Sequence, residues 1–482
     1  MSTQRILAAG AYVPADRLEA ETVRRALGRF DAPGISQVAV PDPDEDTLTM
    51  AVEAGIRALE TAPIDTETVE RLAFATTTPP MDEEDPTPRL VSMLGLESGL
   101  ETSVHTASTL AGCRALEAAL DRSGTALVVA SDVPRGAPDT AIEHAAGAGA
   151  VAFVCSDVGG HDETRVAGEG AQVLERSTVT SPYPGTRFRR RGEHDTTGLG
   201  ITAYDRQAFT ETVGEALGAL AFDFESRPPD ATAIQAPDGK RPYRAASAAG
   251  IDSASLEGCV TVHDVGDTGA ASALLSLAVA LENDAETIVL AGYGSGAVAT
   301  AMVLENTGVT TSLDVGADDE PLRYEEALRR RGTLSSGEPD GGGAYVSIPT
   351  WRRSIPQRHR LEVGVCPDCS GLTFPPEGAC DECDSLVTFT LEELSRTGTV
   401  EAVTTIEQGG APPEFVDQQA RGGAYRSAIV GFDGPGGETV SIPTQVIGTL
   451  EIGDRVETRI RRLYDQEGVI RYGCKVARVP RS

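Results

Sequence analysis

Residues 105–120 read HTASTLAGCRALEAAL. After a polar opening (Thr106, Ser108, Thr109) the stretch is made of small and apolar residues, with charge only at Arg114 and Glu117. A helix apolar on most of its faces must be buried. The polar opening is expected to cap the first turn, where the helix dipole offers partial positive charge. A second stretch of the same character, TGAASALLSLAVAL, occupies Thr268–Leu281. Two buried small-residue helices need layers on either side, and the neighbouring runs supply them.

The surroundings of the two stretches repeat in order. Before the first lie a helix-spaced segment, Thr47–Thr61, and an apolar strand, Leu72–Thr77; after it come strands Thr125–Ala130 and Ala150–Cys155. The second is flanked alike, by Phe209–Ala221, Asp230–Ile234, Thr287–Ala291 and Ala299–Leu304. Apolar strands alternating with helices imply a duplicated α/β core, its parallel-rich sheets sandwiching a central helix layer. The expected halves are 1–165 and 166–310. A linker, 311–349, carries a short helix at Tyr324–Arg331 and the connector SSGEPDGGGA at Ser335–Ala344. A helix and cysteine-rich segment, 350–395, precedes a small all-β barrel, 396–482, read from short alternating runs such as AYRSAIVGF and VIRYGCKV.

With 482 residues, two or three domains are expected. The formal net charge of -32 is spread along the chain, and Lys240 and Lys475 are its two lysines. Such a surface argues against nucleic acid, which needs a basic face. It suits a salt-rich cytoplasm where screening removes self-repulsion; equal stability in low and high salt would contradict that halophilic reading. MSTQRILAAGAYVP lacks the charged head and apolar core of a secretory signal. The uncharged run Thr287–Leu304 is broken at its middle by Gly292, Gly294 and Gly296, so two strands around a turn are expected rather than a membrane span. A cytoplasmic protein without a membrane segment follows.

Eight cysteines are present. Cys113, Cys155, Cys259 and Cys474 sit in apolar contexts, whereas Cys366-Pro-Asp-Cys369 and Cys380-Asp-Glu-Cys383 form two C-x₂-C knuckles. Four thiolates at that spacing close a tetrahedral site with no open position, which makes the metal structural. Zinc is expected, with iron also suited to four sulfurs.

The knuckles, the basic lead-in WRRSIPQRHRLEVGVC, the FPP at Phe374–Pro376 and the closing VIRYGCKV resemble the rubredoxin-like zinc ribbon plus OB-fold family that accompanies thiolase-type enzymes. That resemblance covers about Thr350 to Pro480. The first three hundred residues resemble the archaeal type of 3-hydroxy-3-methylglutaryl-CoA synthase, a thiolase-like duplicated αβαβα fold. The likeness rests on GAYVPADRL, PDPDEDTLTMAVEA, TLAGCRAL, IQAPDGKRP, GDTGAAS and LAGYGSGA, and extends to LRYEEALRRRGTL.

This resemblance implies working positions. The nucleophilic cysteine falls at Thr109, or at Ser108 with a slip of one residue. The histidine falls at Gln235, the general-base glutamate at Thr78, and the asparagine of a G-N-T pattern at Asp267. A threonine hydroxyl is far harder to ionise than a thiol, and glutamine cannot shuttle a proton. Cys113, one turn further on, is expected to be a packed thiol, with a nucleophilic or redox role as the alternatives. His105 and His263 are candidate bases, and Asp82, Glu83 and Glu84 candidate carboxylates near Thr78.

Coenzyme A thioester is the implied ligand. The cluster RFRRRG, including Arg187, Arg189 and Arg190, and the matching Lys240 suit its phosphates. Backbone groups at Gly294 and Ser295 would form the site floor. Three functions are expected: a catalytically degenerate acyl-CoA-binding or scaffold protein working with a condensing enzyme such as an acetoacetyl-CoA thiolase; an active acyltransferase with displaced residues; or a structural subunit without coenzyme A. A homodimer is implied in each case.

Overall fold

The computed structural model describes residues 4–157, 169–317, 320–334, 346–407 and 415–479. The connector Ser335–Ala344 lies outside them. The chain divides into two compact units: Met1–Pro41 with Asp46–Ala327, and Asp42–Glu45 with Leu328–Ser482.

The first unit is built from strands β1 (Gln4–Tyr12), β2 (Val69–Ala75), β3 (Glu101–His105), β4 (Thr125–Asp132), β5 (Gly149–Asp157), β6 (Ala171–Tyr183), β7 (Ala231–Ile234), β8 (Thr287–Gly294), β9 (Gly296–Asn306) and β10 (Thr310–Asp314). Its main helices are α1 (Thr47–Thr61), α2 (Ala111–Leu120), α3 (Thr202–Gly218) and α4 (Ser272–Glu282). The strands form one path, β3-β2-β4-β5-β1-β6-β9-β8-β7, with β10 parallel to β1. The expected two sheets are thus joined, through a single pairing of Ile6 with Ala171.

The duplication is visible in the pairing. In the first half β1 runs antiparallel to β5, β5 antiparallel to β4, and β4 parallel to β2. The second half repeats this: β6 is antiparallel to β9, β9 to β8, and β8 is parallel to β7. β4 and β8 are buried along their whole length, which is why they read as unbroken apolar runs. The first strand of the second half, β6, alternates half-buried with exposed residues and so left no apolar signal.

Helices α2 and α4 share one core, where Leu110, Cys113 and Leu116 meet Leu274, Leu277 and Leu281 together with Val128, Phe153 and Leu290. Their approach needs a residue without a side chain. A Cβ on Gly112 would lie 2.1 Å from the Ala270 carbonyl oxygen. The stretch at 105–120 differs from the expectation at its start. It leaves β3 through Ala107, whose φ of 80° puts an alanine in the left-handed region at a cost of about 1–2 kcal/mol. The helix begins at Ala111, and its N-cap, Leu110, makes no side-chain cap bond. Thr106, Ser108 and Thr109 therefore do not cap the helix.

The second unit opens with α5 (Ile348–Arg360), capped by Ser347, whose hydroxyl accepts from the Thr350 amide at 3.3 Å. Its Trp351 ring lies under two guanidiniums, Arg358 at 4.5 Å and Arg471 at 4.8 Å from the centroid. A three-stranded ribbon follows: β11 (Glu362–Val365), β12 (Leu372–Thr373) and β13 (Thr390–Glu393). Strands β14 (Thr397–Ile406), β15 (Tyr425–Asp433), β16 (Thr439–Val446), β17 (Arg455–Gln466) and β18 (Val469–Arg478) then close a five-stranded barrel in the order β14-β15-β16-β18-β17. Val400, Val430, Phe432, Ile442, Val456 and Val476 fill its core. The acidic segment Asp42–Glu45 is held by buried cations: within this unit Lys475 Nζ lies 2.7 Å from Asp44 and Arg461 3.0 Å from Glu45. No helix among the described residues is long and apolar enough to cross a membrane.

Candidate functional site

Thr109 lies in the turn between β3 and α2 and is 6% exposed. Its hydroxyl donates to the backbone carbonyl of Tyr293 at 2.6 Å. The strand carrying that carbonyl must run close to the turn, and its glycines allow it. A Cβ on Gly292 would lie 2.6 Å from Cys113 Sγ, and one on Gly294 would lie 2.6 Å from Ser108 Oγ. Gly294 thus serves close packing of the turn. Ser295 follows at the half-buried hairpin tip.

Thr78 belongs to a second cluster centred on Asp132, the last residue of β4 and fully buried. Asp132 accepts from the hydroxyls of Thr76, Thr77 and Thr78, from the amides of Thr77 and Thr78, and from the Ala270 amide, at 2.6–3.0 Å. Six donors satisfy the buried Asp132 carboxyl group, which has no ion pair among the described residues. Sequence reasoning missed Asp132, because a charged residue closing an apolar strand reads as a solvated strand end. Thr78 supplies no carboxylate. Its hydroxyl is held between Asp132 and the Val133 amide, and Asp82, Glu83 and Glu84 are exposed.

Gln235 follows β7 and is 2% exposed. Its side-chain nitrogen donates to the Gly269 carbonyl at 2.9 Å. Asp267 accepts from the Gly269 amide at 3.0 Å and forms an ion pair with Arg187. The loop Gly266–Gly269 therefore joins Gln235, Asp267 and Arg187, and the adjacent Ala270 amide ties it to Asp132 and hence to Thr78. Thr109 is linked to the same region through β8, since the Gln235 amide donates to Ala291 and the Thr109 hydroxyl to Tyr293, two residues apart on that strand.

The cationic residues divide. Arg187 is occupied by Asp267, and Arg189 donates to the Thr77 carbonyl at 2.6 Å. Arg190 is exposed beside Glu193, at 3.7 Å. Lys240 is exposed at the start of the helix Arg241–Ala248, with its backbone amide on Asp238.

Cys113 is buried, and desolvation, followed by the nearby Glu117 charge, pushes its thiol well above the ordinary range. It is a packed side chain without thiolate character. His263 is committed at both nitrogens. Gly34 can only accept, so Nδ1 donates to it at 2.6 Å, and Nε2 accepts from the Tyr243 hydroxyl at 2.8 Å. His105 is held below its ordinary value by burial and then by Arg114. Sequence reasoning also passed over His144, whose ring is fully buried against Phe30 and whose Nδ1 accepts from the Asp31 amide at 2.9 Å.

In the ribbon, the four sulfurs of Cys366, Cys369, Cys380 and Cys383 lie within 4.8 Å of one another. The pairs Cys366–Cys383 and Cys369–Cys380 are 3.8 and 3.6 Å apart. A tetrahedron of sulfurs about 2.3 Å from a zinc ion has edges of roughly 3.8 Å. The donor set fits a structural tetrathiolate ion.

Residues 353–388 match the family model "ChsH2, rubredoxin-like zinc ribbon domain". Among relatives, the hydroxymethylglutaryl-CoA synthase of Pyrobaculum arsenaticum is 29% identical over 350 residues, 68% of this chain and 97% of that protein. The one from Methanopyrus kandleri is 27% identical over 69% of this chain and 95% of its own length. Among solved structures, MvaS in complex with 3-hydroxy-3-methylglutaryl coenzyme A superposes with a TM-score of 0.56 at 19% identity, covering 71% of this chain and 94% of that one. A 3-oxoacyl-(acyl carrier protein) synthase III from Pseudomonas aeruginosa gives 0.54 at 19% identity, covering 64% and 99%. The first unit is thus a thiolase-superfamily fold. The chain is a homologue of the hydroxymethylglutaryl-CoA synthases over about 68% of its length, and it carries a ChsH2-type rubredoxin-like zinc ribbon and a closed five-stranded barrel in addition.

Proposed function

We propose that this protein is a hydroxymethylglutaryl-CoA synthase-like acyl-CoA-binding protein that does not form an acyl-enzyme and acts as a binding or scaffold partner of a condensing enzyme. The observation supporting this is the Thr109 hydroxyl, which stands where the resemblance places a nucleophilic cysteine and is spent on the Tyr293 carbonyl. A hydroxyl becomes a nucleophile only beside a base. At the positions of the histidine and the general-base glutamate stand Gln235 and Thr78, neither of which takes up a proton near neutral pH.

Ligand binding does not need those groups. Solved neighbours include synthases complexed with coenzyme A and with 3-hydroxy-3-methylglutaryl coenzyme A. In this chain Lys240, Arg189 and Arg190 are the exposed cations of the proposed set, suited to the phosphates of a coenzyme A thioester. The ribbon would hold zinc as a structural ion. The edge strand β3, exposed over most of its length with Val104 on its surface, supports a homodimer. An acetoacetyl-CoA thiolase has the chemistry expected of the partner, in the cytoplasm.

Calorimetric titration of coenzyme A into the full zinc-loaded chain tests the binding half of this reading. Saturable binding, weakened by Lys240→Glu, is the expected result. Absence of binding would overturn it in favour of a purely structural subunit.

A further inference from the structure

Five arginine and lysine side chains are buried among the described residues: Arg17, Arg71, Arg461, Arg471 and Lys475. Burial strips a cation of water, so each needs oxygens in return. Four have them. Arg17 donates to the carbonyls of Asp264 and Gly316, and Arg71 to those of Arg122 and Ser123. Lys475 and Arg461 hold Asp44 and Glu45. Arg471, on β18 and 4% exposed, has neither carbonyl nor carboxylate. Its Nε is fully buried without an acceptor, and its terminal nitrogens make no hydrogen bond among the described residues.

What Arg471 does have is the ring of Trp351, 4.8 Å from guanidinium carbon to centroid, and Arg358 lies on the same ring at 4.5 Å. Ser354 fixes Arg358 by accepting from its Nε at 2.9 Å, and the other two nitrogens of Arg358 have no acceptor among the described residues. An indole face attracts cations but supplies no lone pair to an N–H, and it offsets only part of the cost of burying charge. The two like charges also stand within about 10 Å of each other, one Debye length at ~0.1 M salt. Burial holds Arg358 below its ordinary value, and the charge on Arg471 acts in the same direction. The chain carries 73 acidic and 41 basic residues, yet neither guanidinium meets a carboxylate among the described residues.

We infer that Arg471, with Arg358, binds a free oxyanion of the phosphate type beside Trp351. A doubly charged oxyanion matches two guanidiniums in charge, and its oxygens accept the paired N–H groups that arginine presents. Trp351 is 7% exposed, which favours a small free ion over the end of a larger molecule. The second unit alone builds this site, and coenzyme A binding by the first unit is not required.

Trp351 is the sole tryptophan of the chain, so its fluorescence reads the site directly. The full zinc-loaded chain is titrated with sodium phosphate at constant ionic strength, made up with sodium chloride. A saturable change is expected, with acetate binding at least about tenfold more weakly. Arg471→Gln is expected to weaken phosphate binding at least about tenfold. A linear or absent response to phosphate, an equal affinity for acetate, or an unchanged affinity in Arg471→Gln would overturn the inference. Equal or tighter binding of glycerol 3-phosphate would overturn the assignment to a free ion. Should Arg471→Gln not fold, the wild-type titrations decide, together with the thermal midpoint. Millimolar phosphate should raise that midpoint above its value in acetate at the same ionic strength, and equal midpoints would count against the site.

Discussion

Arg187 and Asp267 form an ion pair whose side chains are 19% and 4% exposed. The resemblance places an asparagine at Asp267, and the acid that replaces it draws in an arginine expected to face coenzyme A phosphate. The two changes belong together. A buried carboxylate at 267 demands a cation, and a cation so used is withdrawn from ligand binding.

A double-mutant cycle measures this coupling. Arg187→Ala alone leaves Asp267 buried without its cation and is expected to cost about 3–5 kcal/mol. In an Asp267→Asn background the same substitution is expected to cost less than about 1 kcal/mol. Urea midpoints of the four proteins check it, and equal costs in both backgrounds would show that the pair is not coupled.

The Asp132 cluster sets a second expectation. Asn at 132 replaces one carboxylate oxygen with an amide NH₂ that faces donors instead of accepting from them. Asp132→Asn is expected to destabilise the first unit by about 2–4 kcal/mol, and Asp132→Glu to do comparable damage by overpacking. Chemical denaturation followed by circular dichroism reads both.

Buried thiols set the alkaline limit. Desolvation, the leading cause in each case, pushes Cys155 and Cys474 up to about 12 and Cys259 to about 11, and raises Cys113 as well. A raised thiol stays protonated in the folded chain while the unfolded chain ionises, so stability is intact below about pH 9 and falls above it. Each thiol contributes a slope of about 1.4 kcal/mol per pH unit between the unfolded and folded values. Cys113→Ala should lower the slope of stability against pH between 9 and 10.5 by that amount. An unchanged slope would show that Cys113 ionises when folded.

The ribbon is expected to hold one metal ion per chain, zinc by preference. Metal analysis after gel filtration should return about one equivalent for the wild type and under about a tenth for Cys366→Ser, which removes a buried ligand from a closed site. Retention of metal by Cys366→Ser would place the ion elsewhere.

The two buried helices, the strands around them and the cysteine knuckles were legible because each writes its constraint locally. Small residues mark the Gly112–Ala270 approach, unbroken apolar runs mark β4 and β8, and C-x₂-C spacing marks a tetrathiolate. What stayed hidden depends on partners distant in sequence. Asp132 is a buried acceptor only because three threonines 54–56 residues earlier turn toward it. The buried pairing of Asp44 with Lys475 leaves no local signal, because the two are 431 residues apart. The polar opening at 105–110 suggested a capped helix, yet Thr109 found a better acceptor in Tyr293, 184 residues on.

The most direct measurement is intact-protein mass spectrometry of the full chain after incubation with acetyl-CoA, with and without acetoacetyl-CoA. Because the Thr109 hydroxyl is committed to Tyr293 and the Cys113 thiol is buried and protonated, no acetyl adduct should accumulate. A stoichiometric adduct mapping to Thr109, Ser108 or Cys113 would contradict this and make the protein a working acyltransferase.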